Sequence, residues 1–181
     1  FCIAKSKIIN PNSEIEVYLC AMLKTTLLNA VEAGAVQLRH YFNNEDLKIS
    51  NKDGINNWVT EADHAAEKAI IEVIKADYPD HFILSEEAGE MATGSDTKWI
   101  IDPIDGTINC ACGIPLCCVS IGVEQHGEMI LGAVYNPFIN ELFFAQKGFG
   151  ASLNDKKISV SKKTEVLHSC LVTGFPYTYL D

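Results

Sequence analysis

The spacing of apolar residues changes once along this 181-residue chain, from a helical period to a strand period, and that change limits the folds open to it. Between Glu14 and Phe42, the residues Val17, Cys20, Leu23, Leu27, Val31, Ala35, Leu38 and Phe42 recur at helical spacing with no proline among them. This predicts one long amphipathic helix that stops at Asn43-Asn44. A polar, glycine-containing connection is expected from Asn44 to Asn57. Thr60-Glu61-Ala62-Asp63 then has a helix-start pattern, with Thr60 as N-cap and Asp63 three residues on. The second helix carries Ala66, Ala69, Ile70, Val73 and Ile74 on one side and ends near Asp77, ahead of Pro79.

Beyond that point the runs are short and strand-like. His81–Ser85 leads into Glu86-Glu87, and a polar loop with Gly89 and Gly94 precedes the strand Trp99–Ile101. Cys117–Glu124 and Glu128–Tyr135 are joined by Gln125-His126-Gly127, which predicts a hairpin. Asn136-Pro137 turns the chain into a strand at Glu141–Gln146, and Gly148 and Gly150 precede Ala151–Leu153. Asn154-Asp155 turns again, with further strands expected at Ile158–Val160 and Cys170–Thr173. Two helices followed by an antiparallel meander make an α+β fold, helices layered on a largely antiparallel sheet. No repeat, low-complexity tract or linker divides the chain, so residues 1–181 read as a single domain.

The formal charge is −10, from 24 acids against 14 bases, which speaks against a nucleic-acid partner, since the backbone demands a basic footprint. No uninterrupted apolar run approaches the roughly 20 residues of a membrane span, so no membrane partner is expected. The opening Phe-Cys-Ile-Ala-Lys-Ser-Lys is broken by Lys5 and Lys7 and makes a poor signal peptide. Seven cysteines are an odd number at low density, which favours a reducing, cytoplasmic setting over a disulfide scaffold. Cys110, Cys112, Cys117 and Cys118 fit no paired zinc template and have no histidine close by, so small buried hydrophobes are the simpler reading.

Chemistry concentrates in Asp102-Pro103-Ile104-Asp105-Gly106-Thr107, directly after an apolar strand. Asp102 stands where a strand-end carboxylate projects into a crevice. Pro103 withdraws a backbone donor and is expected to turn the chain out of the ladder, bringing Asp105 back beside Asp102 and aiming the Ile104 carbonyl at the same point. Two carboxylates and a carbonyl suit a hard cation such as magnesium. Gly106 allows close backbone approach. A helix starting there would offer amides to a phosphate oxygen, and the Thr107 hydroxyl could orient a water. Each part has a plainer explanation. Asp-Pro and Asp-Gly are common turn pairs, Glu86-Glu87 could be surface charge, and Asp63 could serve only its helix cap.

Taken together, Val-Thr-Glu-Ala-Asp at 59–63, Ser-Glu-Glu-Ala-Gly-Glu at 85–90 and Trp-Ile-Ile-Asp-Pro-Ile-Asp-Gly-Thr at 99–107 resemble the inositol monophosphatase family of magnesium-dependent, lithium-sensitive phosphatases. Gly-Ile-Pro-Leu-Cys-Cys-Val-Ser-Ile-Gly at 113–122 and the stretch 132–151 are also similar to that family, and the likeness spans roughly Val31 to Pro176. It implies the layered sandwich of the sugar phosphatases, Mg2+ as cofactor, and a homodimer. It assigns Glu86, Asp102 and the Ile104 carbonyl to a first metal, and Asp102 with Asp105 to a second. Thr107, supported by Asp63, would position and activate the attacking water, with Glu86 part of the catalytic set. The amides of Gly106 and Thr107 would hold the phosphate, beside Asp105. The implied substrate is a small-molecule phosphate monoester, inositol 1-phosphate first. Histidinol phosphate, fructose bisphosphate or a nucleotide 3'-phosphate are the alternatives. The chain departs from the family at Ile108, where a second threonine is usual, and at Cys110 and Cys112. It also lacks the family's later Trp-Asp motif: its tryptophans are Trp58 and Trp99. A truncated, catalytically poor metal-binding or dimerising module is therefore a reading from another class.

Overall fold

The computed structural model describes residues 11–44, 46–51 and 58–172, apart from the side chains of residues 11–17 and 51. The opening segment, Thr173 and the side chain of Val17 lie outside the described residues. Helix α1 runs Pro11–Tyr41, starting three residues before the sequence predicts, and α2 runs Glu61–Asp77. Of the expected α1 stripe, Leu23, Leu27, Val31, Ala35 and Leu38 are buried, while Cys20 and Phe42 pack at its margins. The buried face of α2 is Ala62, Ala66, Ile70 and Ile74. The expected Ala69 and Val73 sit at its flanks and are only half-buried. The two helices cross closely at Gly34, where a methyl group would stand 2.8 Å from Cδ1 of Ile70. Thr26 Oγ1 also donates to Asp77 Oδ2 across the pair, at 2.5 Å.

Capping at the start of α2 follows the sequence expectation. Thr60 accepts from the Ala62 N–H at 3.1 Å, and the Asp63 carboxylate accepts from the Thr60 N–H at 2.8 Å. Such reciprocal capping satisfies donors that the first helical turn leaves open.

The strands are β1 (Ile49–Asn51), β2 (Trp58–Thr60), β3 (Phe82–Ser85), β4 (Gly89–Met91), β5 (Thr97–Asp105), β6 (Cys118–Gln125), β7 (Glu128–Asn136), β8 (Glu141–Gln146), β9 (Gly150–Leu153) and β10 (Lys156–Ile158). A short helix, α3, spans Thr107–Ala111. Among the described residues the first two strands pair only with each other, and the other eight form one sheet in the order β10-β9-β8-β7-β6-β5-β3-β4. Every neighbour pair in that sheet is antiparallel except β3 with β5, which run parallel. Helices α1 and α2 cover one face. Alternate residues Trp99 and Ile101 of β5 and Val119, Ile121 and Val123 of β6 point into the core they share with Leu27, Val31 and Ile70. Burying each such aliphatic side chain contributes on the order of 1.5–3 kcal/mol.

Several expectations need correction. The polar connection holds β1, and the Gly89 loop is strand β4, because pairing with β2 and with β3 respectively supplies partners that the local sequence does not advertise. The strand expected at 158–160 ends at Ile158, having started at Lys156. Cys170–Val172 is exposed and irregular rather than a strand; it follows a single 3-10 turn at Val166–His168 and has no neighbour strand among the described residues. Pro103 does not end its strand. β5 continues to Asp105, with a register irregularity against β6 between Asp102 and Asp105, which is where a strand tolerates proline.

The sequence discounted a membrane span, yet by length and composition alone Tyr18–Tyr41 of α1 is apolar enough to cross one. Its apolar stripe is accounted for by the core it shares with α2 and the sheet.

Candidate functional site

Parallel pairing of β3 with β5 sets the site, because it places the C-terminal ends of both strands side by side. Ser85 pairs with Ile101, and the Glu86 N–H donates to the Ile101 carbonyl at 3.1 Å. Glu86 thus leaves β3 next to the point where β5 delivers Asp102. The irregularity after Asp102 carries Ile104 and Asp105 past the same corner. A cavity of about 120 Å³ is lined by Trp58, Glu86, Asp102, Ile104, Asp105 and Thr107, with Gly106 and Ile108 completing it.

The path of the chain into α3 depends on Gly106, whose φ of +90° falls in the left-handed region. Contact reinforces the requirement: a Cβ there would stand 2.9 Å from the Leu116 carbonyl oxygen and 3.3 Å from Cys117 Cα. Thr107 opens α3, and its Oγ1 lies 3.0 Å from Asp63 Oδ1 and 3.0 Å from the Ile104 carbonyl oxygen. A single hydroxyl proton therefore faces two acceptors. Asp63 is 1% exposed, and its Oδ2 also accepts from the Thr60 hydroxyl at 2.7 Å. The acid that caps α2 is the acid that meets Thr107, so capping and site support are one arrangement.

The electrostatics of the corner favour a cation. Asp102 is half-buried, and its Oδ1 is buried without a hydrogen-bond partner among the described residues. Burial, the neighbouring Glu86 and Asp105 charges and a hydrogen bond shared with Glu86 push its carboxyl up to about 7, against a smaller lowering by the backbone at Ile104. Like charges held together with an open acceptor oxygen are what a divalent ion relieves. Among the described residues, no group of three or more Asp, Glu, His or Cys side chains is placed to hold a metal ion. Magnesium does not require that, since it takes one or two carboxylates and keeps several waters. The donor set therefore fits a hard cation.

The structure brings Glu86, Asp102, Ile104, Asp105, Gly106 and Thr107 to one cavity and joins Asp63 to it through Thr107. Trp58 and Ile108 line the same space. Trp58 lies two residues before Thr60 on β2, so the strand period could have placed both on one face. Glu67 is a further missed residue: it is buried on α2 and accepts from the Ala88 N–H at 2.8 Å in the loop that carries Glu86. Among the described residues the cysteines form no metal cluster. Cys110 and Cys117 are buried, Cys117 Sγ lies 3.9 Å from the Ile114 carbonyl oxygen, Cys112 is exposed, and Cys118 Sγ lies 3.9 Å from Asp105 Oδ2. A larger cavity, about 580 Å³, lies at the N-terminal half of α1 against Leu19, Leu23, Ile130 and Phe149. No carboxylate of the described residues lines it, so chemistry outweighs volume in choosing between the two.

Residues 21–180 match the model of the inositol monophosphatase family. The chain is 43% identical over 157 residues to a Nus factor SuhB of Pasteurella multocida, which covers 86% of this chain and 58% of the relative. It is 40% identical, with the same coverage, to the Nus factor SuhB of Escherichia coli K12. Among solved structures it is similar to an extragenic suppressor protein SuhB from Bartonella henselae, at a TM-score of 0.74 and 36% identity, over 78% of this chain and 55% of that one. An IMPase from Thermotoga maritima gives a TM-score of 0.70 at 35% identity, over 78% and 54%. The chain spans a little over half the length of the relatives it matches.

Proposed function

The chain belongs to the inositol monophosphatase family, and from that premise we propose that it contributes the metal-binding part of a magnesium-dependent phosphate monoesterase acting on a small molecule, with inositol 1-phosphate as the representative substrate. One observation carries the reading: the Thr107–Asp63 pair stands beside a buried Asp102 oxygen that no hydrogen bond from the described residues satisfies.

Glu86, Asp102, Asp105 and the Ile104 carbonyl would hold the metal. When bound, magnesium neutralises the ester phosphate, lowers the pKa of water and stabilises the departing alkoxide. The residues of the chain supply position and proton handling. Asp63, fixed by the Thr60 N–H, keeps one oxygen available to Thr107. Thr107 donates to that oxygen and turns its lone pairs to accept from an incoming water, orienting the water's oxygen towards phosphorus. Backbone amides of Gly106 and Thr107, at the start of α3, would hold the phosphate oxygens, and the buried Ile104 with the half-buried Trp58 would limit competing water. Arranging these groups before the reaction supplies most of the rate enhancement in such sites. A homodimer and a cytoplasmic setting belong to the same proposal; free thiols at the six described cysteines are consistent with the latter.

Substrate choice is tested by phosphate release from inositol 1-phosphate, histidinol phosphate, fructose 1,6-bisphosphate and a nucleotide 3'-phosphate at equal concentrations. A highest kcat/KM for inositol 1-phosphate supports the reading, and a higher value for another ester reassigns the substrate within the same chemistry. The similarity to Nus factor SuhB proteins favours a second reading, that this chain acts as a Nus factor. A folded, magnesium-loaded chain that releases phosphate from none of the four leaves that reading, or a metal-binding module, in place of the enzyme.

A further inference from the structure

We propose that Glu67 is a positioning residue that tethers the Glu86-Glu87 corner and thereby sets metal affinity; this rests on the metal-site reading above. Its carboxylate is buried, at 7% exposure, on the face of α2 one turn beyond Asp63. A buried carboxylate is costly unless its oxygens are satisfied. Glu67 Oε1 accepts from two donors, the Ser85 hydroxyl and, at 2.8 Å, the Ala88 N–H. Ser85 is the last residue of β3 and is 3% exposed, and Ala88 lies three positions on. Glu86 and Glu87 are the two residues between these anchors.

The corner is therefore held from two directions. The Glu86 N–H is bonded to the Ile101 carbonyl, one residue before Asp102, and the flanking Ser85 and Ala88 are drawn together by one oxygen of Glu67. Two acids one helical turn apart divide the work: Asp63 steadies Thr107, and Glu67 steadies the corner that presents Glu86. Neither needs to touch a substrate. Losing the Glu67 oxygen frees the 85–88 turn while leaving the Ile101 bond, so Glu86 stays near Asp102 but is no longer fixed in direction. Outer partners of this kind typically tune metal affinity by about 10- to 100-fold.

The test uses the 181-residue chain and Mn2+ as an electron-paramagnetic probe of the site. Glu67→Leu removes the acceptor of both hydrogen bonds at similar bulk, Glu67→Gln keeps an acceptor oxygen without the charge, and Ser85→Ala removes one donor. Circular dichroism and thermal melting confirm folding of each. Glu67→Leu is expected to weaken Mn2+ binding by about tenfold or more, Glu67→Gln to restore it to within about threefold of wild type, and Ser85→Ala to weaken it about two- to tenfold. Hydrogen exchange at the Ala88 amide should accelerate in Glu67→Leu and stay slow in Glu67→Gln. A folded Glu67→Leu chain with unchanged Mn2+ affinity and unchanged Ala88 exchange overturns the tether. Should Glu67→Leu fail to fold, unchanged affinity in Ser85→Ala overturns it. A wild-type chain that binds no Mn2+ contradicts the metal-site reading instead, and Ala88 exchange then decides the tether by itself.

Discussion

Thr107 Oγ1 lies 3.0 Å from Asp63 Oδ1, across 44 positions of chain, while the other Asp63 oxygen caps its own helix through the Thr60 N–H at 2.8 Å. One buried carboxylate thus fixes a helix start and the Thr107 hydroxyl together. Thr107→Val, which keeps shape and removes the hydroxyl, is expected to cut turnover about 10²- to 10⁴-fold with little change in melting temperature. Thr107→Ser should keep most of the activity. Steady-state kinetics beside a thermal melt check both.

Asp63→Ala should cost stability as well as rate, because the partner of the Thr60 N–H is lost together with the acceptor for Thr107. A capping residue contributes about 0.5–2 kcal/mol, so urea denaturation should show a drop in that range, absent from Thr107→Val. Equal stabilities for the two variants would separate capping from site support.

Gly106 combines a φ of +90° with a methyl-sized gap of only 2.9 Å to the Leu116 carbonyl oxygen. Gly106→Ala is expected to destabilise the chain by about 1–3 kcal/mol, read from a urea midpoint. Any surviving folded protein should bind phosphate esters more weakly, since α3 has to shift.

Much of this site was legible because its signals are local. Thr60 and Asp63 announce a helix start within four residues, and Asp102 to Thr107 follow an apolar strand in a single string. What stayed hidden depends on distant pairing. Gly89–Met91 is a strand only because β3 offers it an edge, and β5 runs through Pro103 because β6 tolerates an irregularity there. Glu67 looks like any helix-surface acid until Ser85 and Ala88 are seen against it. Cys170–Val172 has a strand-like composition but no neighbour among the described residues.

A pH dependence is expected far from the site. Trp99 Nε1 donates to His81 Nδ1 at 3.0 Å, which requires a neutral imidazole, and Trp99 is fully buried. Burial lowers the His81 pKa from its ordinary 6.5, with the Asp80 charge opposing in smaller measure. The folded chain therefore takes up this proton less readily than the unfolded one. The His81 contribution to stability is complete above about pH 6.5 and is lost as pH falls below that value towards the lowered folded pKa. Urea midpoints at pH 7.5 and 5.5 should fall further for wild type than for His81→Gln; parallel changes would contradict it.

The most direct measurement is magnesium-dependent phosphate release from inositol 1-phosphate, with and without lithium, for the wild-type chain beside Asp105→Asn. The account predicts turnover that requires magnesium, is inhibited by lithium and is abolished by the substitution. A folded, magnesium-loaded wild-type chain that releases no phosphate, or an Asp105→Asn chain as active as wild type, would contradict it.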